Sequence, residues 1–305
     1  MRYRAVIISP HLDDAVFSCG HRITQLVHEG PVLVLNVFTR FLNATKDYSI
    51  VLDDSRHDEE SASKESLGYV SVSFGELDCY FRREEYHSIG NIFKPPIAED
   101  CGEYLVTLRK RIFTYLKNIE YDELYLPLAI GWQVDHLLTY RLFEPWIGQE
   151  NLIFYEDAPY CLMPHMTRLR LDEIGIYECD SNDQSLVAAQ PGNASLSAVR
   201  SLFDTALMRN LRPKGLRWLA LPVVSWYLYR LIALHQKQKK YHKLTSMIIS
   251  VKDFSKKIES MMLYKSQFQE FFLDCTDCRK IYASYANKVG ASSKFIERYW
   301  KIQAI

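Results

Sequence analysis

Ala5-Val6-Ile7-Ile8-Ser9-Pro10-His11-Leu12-Asp13-Asp14-Ala15-Val16 passes from an apolar run through a polar turn into a helical pattern. Ala5–Ser9 is too short for a helix and apolar on both faces, as a strand buried on both sides must be. Pro10 ends it. The helical pattern then runs from about Ala15 to His28, where Gly30-Pro31 breaks it.

Outward from this unit the alternation repeats. Val32–Thr39, rich in Val and Leu, reads as a second buried strand, Ser55–Leu67 as a helix stopped by Gly68, and Val70–Phe74 as a third strand. Residues 79–101 form a long loop, of the kind that compact domains keep for function. Tyr104–Ile119 is an amphipathic helix, Glu123–Ile130 a fourth strand ending at Gly131, His136–Trp146 a helix and Asn151–Tyr155 a fifth strand. Apolar strands alternating with helices predict an α/β, Rossmann-like fold: a mostly parallel sheet with helices on both faces. After about residue 161 helices dominate. The expected organisation is a core over residues 1–160, a helical insertion or lid over 161–249, and C-terminal helices over 250–305 that pack back on the core.

Bulk composition narrows the function classes. The 305 residues carry 37 Lys+Arg and 37 Asp+Glu, so the formal net charge is zero. Nucleic acid as the main binding partner needs a basic excess, and none is present. The chain runs almost at once into its first strand, which leaves no room for a signal peptide. Seven scattered cysteines fit a reduced, cytoplasmic protein better than a disulfide framework. Cys275 and Cys278 form a single CxxC in a helical context with no second pair, and read as ordinary thiols.

In parallel sheets ligands bind beyond the carboxyl ends of the strands. That rule puts residues 9–14 and 131–136 at the mouth of the site. His11 and Asp14 are three apart across a tight turn, and Asp135-His136 takes the equivalent place after the fourth strand. Two imidazoles and one carboxylate leave a fourth position open, the form of a catalytic zinc site, where bound water reaches a pKa of roughly 7. Asp13, beside these ligands, is placed to take the proton of that water and return it to a leaving amine. The competing explanation is plain capping, with Asp oxygens holding backbone N–H groups at two helix starts.

These residues resemble a known family, the PIG-L/LmbE de-N-acetylases. Ser9-Pro10-His11-Leu12-Asp13-Asp14-Ala15-Val16 with Ser18-Cys19-Gly20 is similar to its first motif. Arg56 and Glu59 before Leu67-Gly68, Asp78 after the third strand, Asp135-His136 with Arg141, and Phe154–Tyr160 follow in the family's order. Lys257, Tyr264, Ser266 and Gln267 resemble its closing helix. The resemblance implies Zn2+ held by His11, Asp14 and His136, Asp13 as general base, and Arg56 and Asp78 on sugar hydroxyls. For Arg56 and Asp78 a surface salt bridge and a turn cap compete. The implied reaction removes the acetyl group of an N-acetylated amino sugar or its conjugate. One position departs: the family's His-x-Asp-His reads Gln133-Val134-Asp135-His136 here. Glutamine can donate a hydrogen bond to an oxyanion but cannot give up a proton. Either Asp13 makes both proton transfers while Gln133 polarises the carbonyl, or the chain binds zinc and glycan with impaired hydrolysis.

Residues 161–249 have no family counterpart. Leu216–Leu234 is apolar and aromatic, flanked by Arg212, Lys214, Arg217, Lys237, Lys239, Lys240 and Lys243. Arg217, Pro222 and Arg230 spoil a membrane span. The segment reads as a helix buried on the core or, alternatively, as an interfacial helix or lid, with peripheral membrane contact through residues 212–243. His57, His87 and His165 are candidates for a missing acid, His87 being the best placed.

Overall fold

The apolar runs become strands because only a sheet covered on both faces keeps them from water. In the computed structural model, which describes residues 1–42, 55–88, 90–177, 183–186, 216–235 and 242–304, β1 (Arg2–Ser9) is buried along Ala5–Ile8. It pairs in parallel with β2 (Val32–Arg40), Ala5 opposite Val32 and Ile8 opposite Leu35. On its other edge it pairs in parallel with β4 (Glu120–Pro127). β3 (Val70–Leu77) extends the sheet beyond β2 and β5 (Leu152–Tyr155) beyond β4, again in parallel.

The first strand therefore runs between the second and the fourth. Strand order reverses at that point, and the crevice between the carboxyl ends of β1 and β4 is the switch point where such sheets bind ligands. Helices α1 (Asp14–Glu29) and α2 (Ser55–Leu67) pack on each other, and α4 (Leu105–Lys117) packs on α5 (Val134–Leu142). The long loop after β3 holds the short helix α3 (Cys79–Arg82). Arg82 pins this loop by donating to Asp100 at 3.0 Å and to Asp135 at 2.7 Å.

Beyond residue 161 the chain differs from the helical expectation. Helices α6 (Met166–Ile174), α7 (Leu216–His235), α8 (Phe254–Met262), α9 (Lys265–Phe271) and α10 (Cys275–Val289) are joined by three further strands. These are β6 (Ile176–Tyr177), β7 (His242–Ser250) and β8 (Ile296–Ala304), which complete an eight-stranded sheet in the order β3-β2-β1-β4-β5-β8-β7-β6. β8 is antiparallel to both β5 and β7. All three expected segments thus contribute to one sheet. Charge hides β8 in the sequence: its Glu297 and Arg298 are buried, Arg298 by pairing with Glu156 and Asp183 at 2.6 Å each. β7 has a single buried side chain, Leu244, among exposed and half-buried positions.

Candidate metal centre

The turn after β1 is built by its own polar side chains. Ser9 Oγ donates to the His11 carbonyl at 2.5 Å and accepts from the Ala15 amide at 3.0 Å. Asp14 Oδ2 accepts from the His11 amide at 2.8 Å, so the carboxylate is folded back over the turn. After β4 the backbone takes a left-handed conformation at Ala129, Gly131 and Trp132. Two of these are not glycine, and such strain collects at sites where geometry matters more than stability. At Gly131 a Cβ would lie 2.5 Å from Cγ of Tyr160, so only glycine fits beneath that ring. Gln133 caps α5: its Oε1 accepts from the amides of Asp135 at 2.6 Å and His136 at 3.1 Å.

These two turns bring His11, Asp14 and His136 together. Asp14 Oδ2 lies 3.1 Å from His11 Nδ1 and 3.3 Å from His136 Nε2, and one ligand atom from each residue fits within a 4.8 Å spread. All three are buried. The far nitrogen of each ring faces another carboxylate. His136 Nδ1 is 2.6 Å from Asp157 Oδ1, while Asp157 Oδ2 accepts from the Ile130 amide at 2.9 Å. His11 Nε2 is 3.2 Å from Asp135 Oδ2 and 3.4 Å from Asp78 Oδ2. Carboxylates behind imidazoles in this way fix the tautomer and orient the ring of a metal ligand.

His11, Asp78 and Asp135 form a second close group, but three of its four carboxylate oxygens already accept hydrogen bonds. Asp135 accepts from Arg82 through Oδ1 and from the Cys79 amide through Oδ2, and Asp78 Oδ1 accepts from the Tyr80 amide at 2.9 Å. The first group therefore fits a metal better. The charge balance agrees. Asp13, Asp14, Asp78, Asp135 and Asp157 are buried here, against the guanidinium groups of Arg56 and Arg82. Protons or a divalent cation must offset the remainder. Burial alone would push the His136 imidazole down, yet Asp14 and Asp157 raise it to about 9. Burial likewise lowers His11, and Asp135 and Asp14 outweigh it, holding the ring well above its ordinary value. Burial raises the Asp13 carboxyl, Arg56 pulls it back, and Asp14 beside it pushes it up again.

No family model matches the chain. It is 26% identical over 167 residues to the 2'-N-acetylparomamine deacetylase of Streptomyces fradiae, a match across 52% of this chain and 58% of that one. The chain thus spans little over half of that relative's length. A deacetylase–bog complex from the biosynthesis pathway of teicoplanin shares its fold, with a TM-score of 0.62, 17% identity, and 99% and 98% of the two chains covered. So does the zinc inhibited form of the teicoplanin deacetylase Orf2, with a TM-score of 0.61, 16% identity, and 99% and 98% covered. That relative and both of these structural neighbours are deacetylases by name. At this identity the structural likeness carries the fold.

The other residues singled out in the sequence have contacts of their own. Arg56 Nη2 donates to Asp13 Oδ1, so the guanidinium assigned to sugar hydroxyls also grips the assigned base. Asp78 caps α3, as the bland explanation has it, and also faces His11. Asp135 and Asp157 lie outside the sequence-read site set, although both stand inside motifs quoted above. Which carboxylate backs which imidazole depends on strand register, and the motif alone does not show it. His57 Nε2 lies 2.9 Å from the Thr39 carbonyl, and His87 packs on Tyr80 with ring centroids 5.3 Å apart. Neither contact is with the metal ligands. His165 precedes α6. Six of the seven cysteines lie among the described residues, all as free thiols.

Of residues 212–243, those at 212–215 and 236–241 lie outside the described residues. The C-terminal end of α7 docks beside the site. His235 stacks on Trp132 at 4.9 Å, Leu231 and Ile232 are buried, and Trp226, Tyr229 and Leu234 stay exposed. No helix among the described residues is long and apolar enough to cross a membrane.

Proposed function

We propose that this chain is a metal-dependent hydrolase that removes the acetyl group from an N-acetylated amino sugar or its conjugate, with zinc held by His11, Asp14 and His136. The observation that carries this is the convergence of those three donors at the strand switch point, with Asp13 and Arg56 beside them. The donor set suits zinc, two imidazoles and one carboxylate leaving room for a further ligand. When bound, zinc supplies Lewis acidity at neutral pH.

The chain's own residues do the rest. Asp157 and Asp135 hold the two imidazoles in orientation. Asp13 takes a proton from the attacking water as the new C–O bond forms. It passes that proton to the nitrogen as the C–N bond breaks, releasing acetate and a free amine. Arg56 keeps the Asp13 carboxylate aimed and ionised. Gln133, its Oε1 committed to the helix cap, donates through Nε2 to Cys79 Sγ at 3.4 Å, and its second amide N–H is the one left to polarise the acetamide carbonyl. That commitment also favours a second reading, a zinc- and glycan-binding protein with impaired hydrolysis.

Metal content and acetate release, measured on wild type, Asp14→Ala, Asp13→Asn, Gln133→His and Gln133→Ala, test both. Near-stoichiometric metal in wild type, lost in Asp14→Ala, is expected, with acetate release reduced about 10²–10⁴-fold in Asp13→Asn. Metal without acetate in wild type, restored by Gln133→His, would establish the impaired reading. Absence of metal would overturn both.

A further inference from the structure

Helix α9 is fastened at both ends. Near its start the Ser266 amide and Oγ donate to the Glu59 carboxylate of α2 at 3.0 and 2.7 Å. At its end the Phe271 ring meets Tyr160 edge-on at 6.4 Å, and Tyr160 in turn meets His136 at 5.9 Å. Between these anchors lie Gln267 and Glu270, three apart and so on one face of the helix. Glu270 has Arg56 and Asp13 as its charged neighbours, and its own charge reaches Tyr160. Its charge is thus felt both at the assigned base and at the aromatic wall of the site.

Arg56 Nε, Gln267 Nε2 and Glu270 Oε1 are buried polar atoms with no hydrogen-bond partner among the described residues. Buried polar groups are nearly always satisfied, so each of these orphans calls for an explanation. Two are donors and one is an acceptor. A sugar ring offers the complement, since each hydroxyl can donate once and accept twice. A fold built for stability alone would close Glu270 onto Arg56, yet no ion pair between them exists among the described residues, and Arg56 is spent on Asp13.

We propose that Glu270 is a substrate-binding residue, its carboxylate accepting a hydrogen bond from a hydroxyl or ammonium group of the amino-sugar ring whose acetamide faces Asp13. This rests on the deacetylase reading for the identity of the ligand, and reaches the site from a helix outside the two metal motifs. Burial, more than the opposing pull of Arg56, raises the free carboxyl to about 7, as expected where a donor is missing.

The test compares wild type, Glu270→Ala and Glu270→Gln, metal-loaded, by calorimetric binding and by acetate release. The probes are N-acetylglucosamine, which offers hydroxyl donors, and 2'-N-acetylparomamine, which adds ammonium groups. Glu270→Ala is expected to weaken binding of both at least tenfold and to raise KM with kcat changed severalfold at most. Its melting midpoint should be unchanged or higher, because an unsatisfied buried group has been removed. Glu270→Gln retains binding of either probe where the donor is a hydroxyl. It loses 2'-N-acetylparomamine selectively where the donor is an ammonium. Unchanged affinity in Glu270→Ala overturns the proposal, as does a wild type that binds neither saccharide, or binding losses that track lowered melting midpoints in both variants. Wild type that binds but releases no acetate would sink the deacetylase reading and leave Glu270 decided by the binding data.

Discussion

Asp157 has no vacancy left for a second role: one oxygen takes the Ile130 amide and the other faces His136 Nδ1. Its work is to hold that ring so that Nε2 points at Asp14. Replacing it with asparagine keeps the shape and removes the charge, and losses of about 10–100-fold in metal affinity are typical for such positions. Chelator competition on Asp157→Asn should show a loss of that size, whereas unchanged affinity would mean the ring is held by packing alone. Glu270 gives a second test at this scale, in pH. Its carboxyl titrates near 7 in the fold, above an ordinary value of 4.5. The folded state therefore holds the proton more tightly than the unfolded chain, and stability falls as pH rises from 4.5 through 7. The cost above that window is on the order of 3 kcal/mol. Glu270→Gln should melt higher than wild type at pH 8 and level with it at pH 4, by calorimetric scans at several pH values. The grouping of His11, Asp13, Asp14 and His136 could be expected because His11 and Asp13 lie in the turn after β1, Asp14 opens α1 and His136 stands in the first turn of α5, where short motifs fix direction. Asp135 and Asp157 stood in those motifs without revealing their work, and Glu270 stood in none. Their roles depend on distances across the fold that no local spacing encodes.

Among the elements, strands with a continuous or alternating apolar pattern were readable, and β7 and β8, which carry charges among their apolar residues, were not. Ala5–Ile8 and Val32–Leu35 are continuous apolar runs, and the parallel core followed from them. His242–Ser250 and Ile296–Ala304 carry Lys243, Glu297 and Arg298; Lys243 is exposed, and the burial of Glu297 and Arg298 depends on ion pairs formed far along the chain. Pro145 supplied another difference: the helix expected over 136–146 ends at Leu142, and a separate turn covers Glu144–Trp146. Helix α7 makes the sharpest element-scale prediction. Its last residue, His235, stacks on Trp132 of the strained loop, and its Nε2 donates to the Phe93 carbonyl at 3.0 Å. Burial lowers the imidazole to about 4; Glu173 works against this, while Arg170 and Arg141 reinforce it. The unfolded chain takes up the proton first, near 6.5, so the docked helix loses stability as pH falls from 6.5 toward 4. His235→Phe retains a stacking ring without the titration. The melting midpoint of wild type should drop relative to this variant across that window; parallel curves would show that docking does not depend on the neutral ring.

At the scale of the molecule, the C-terminal third holds the core together. Glu297 on β8 accepts from Lys257 of α8 at 2.5 Å, from the α1 amides of His21 and Arg22 at 2.9 and 3.0 Å, and from Tyr299 at 2.7 Å. One carboxylate thus joins the last strand, a late helix and the helix that begins at Asp14. Lys257 and Glu297 are both almost fully buried. Removing one member of such a pair strands the other charge and costs about 3–5 kcal/mol. That is a large share of the roughly 5–15 kcal/mol that keeps a domain folded. Replacing both with apolar residues leaves no lone charge. Lys257→Met should therefore lose about that much in urea unfolding, and Lys257→Met with Glu297→Leu less than the sum of the two single changes. The strut touches α1 at its second turn and beyond, and two of the three proposed metal donors, His11 and Asp14, sit at its start. Wherever Lys257→Met remains folded, its metal affinity should stay within about threefold of wild type by chelator competition, a shift small beside the tenfold that 1.4 kcal/mol represents. A tenfold or greater loss in the folded variant would mean that the C-terminal strands set the position of Asp14 itself, making the metal centre a property of the whole sheet.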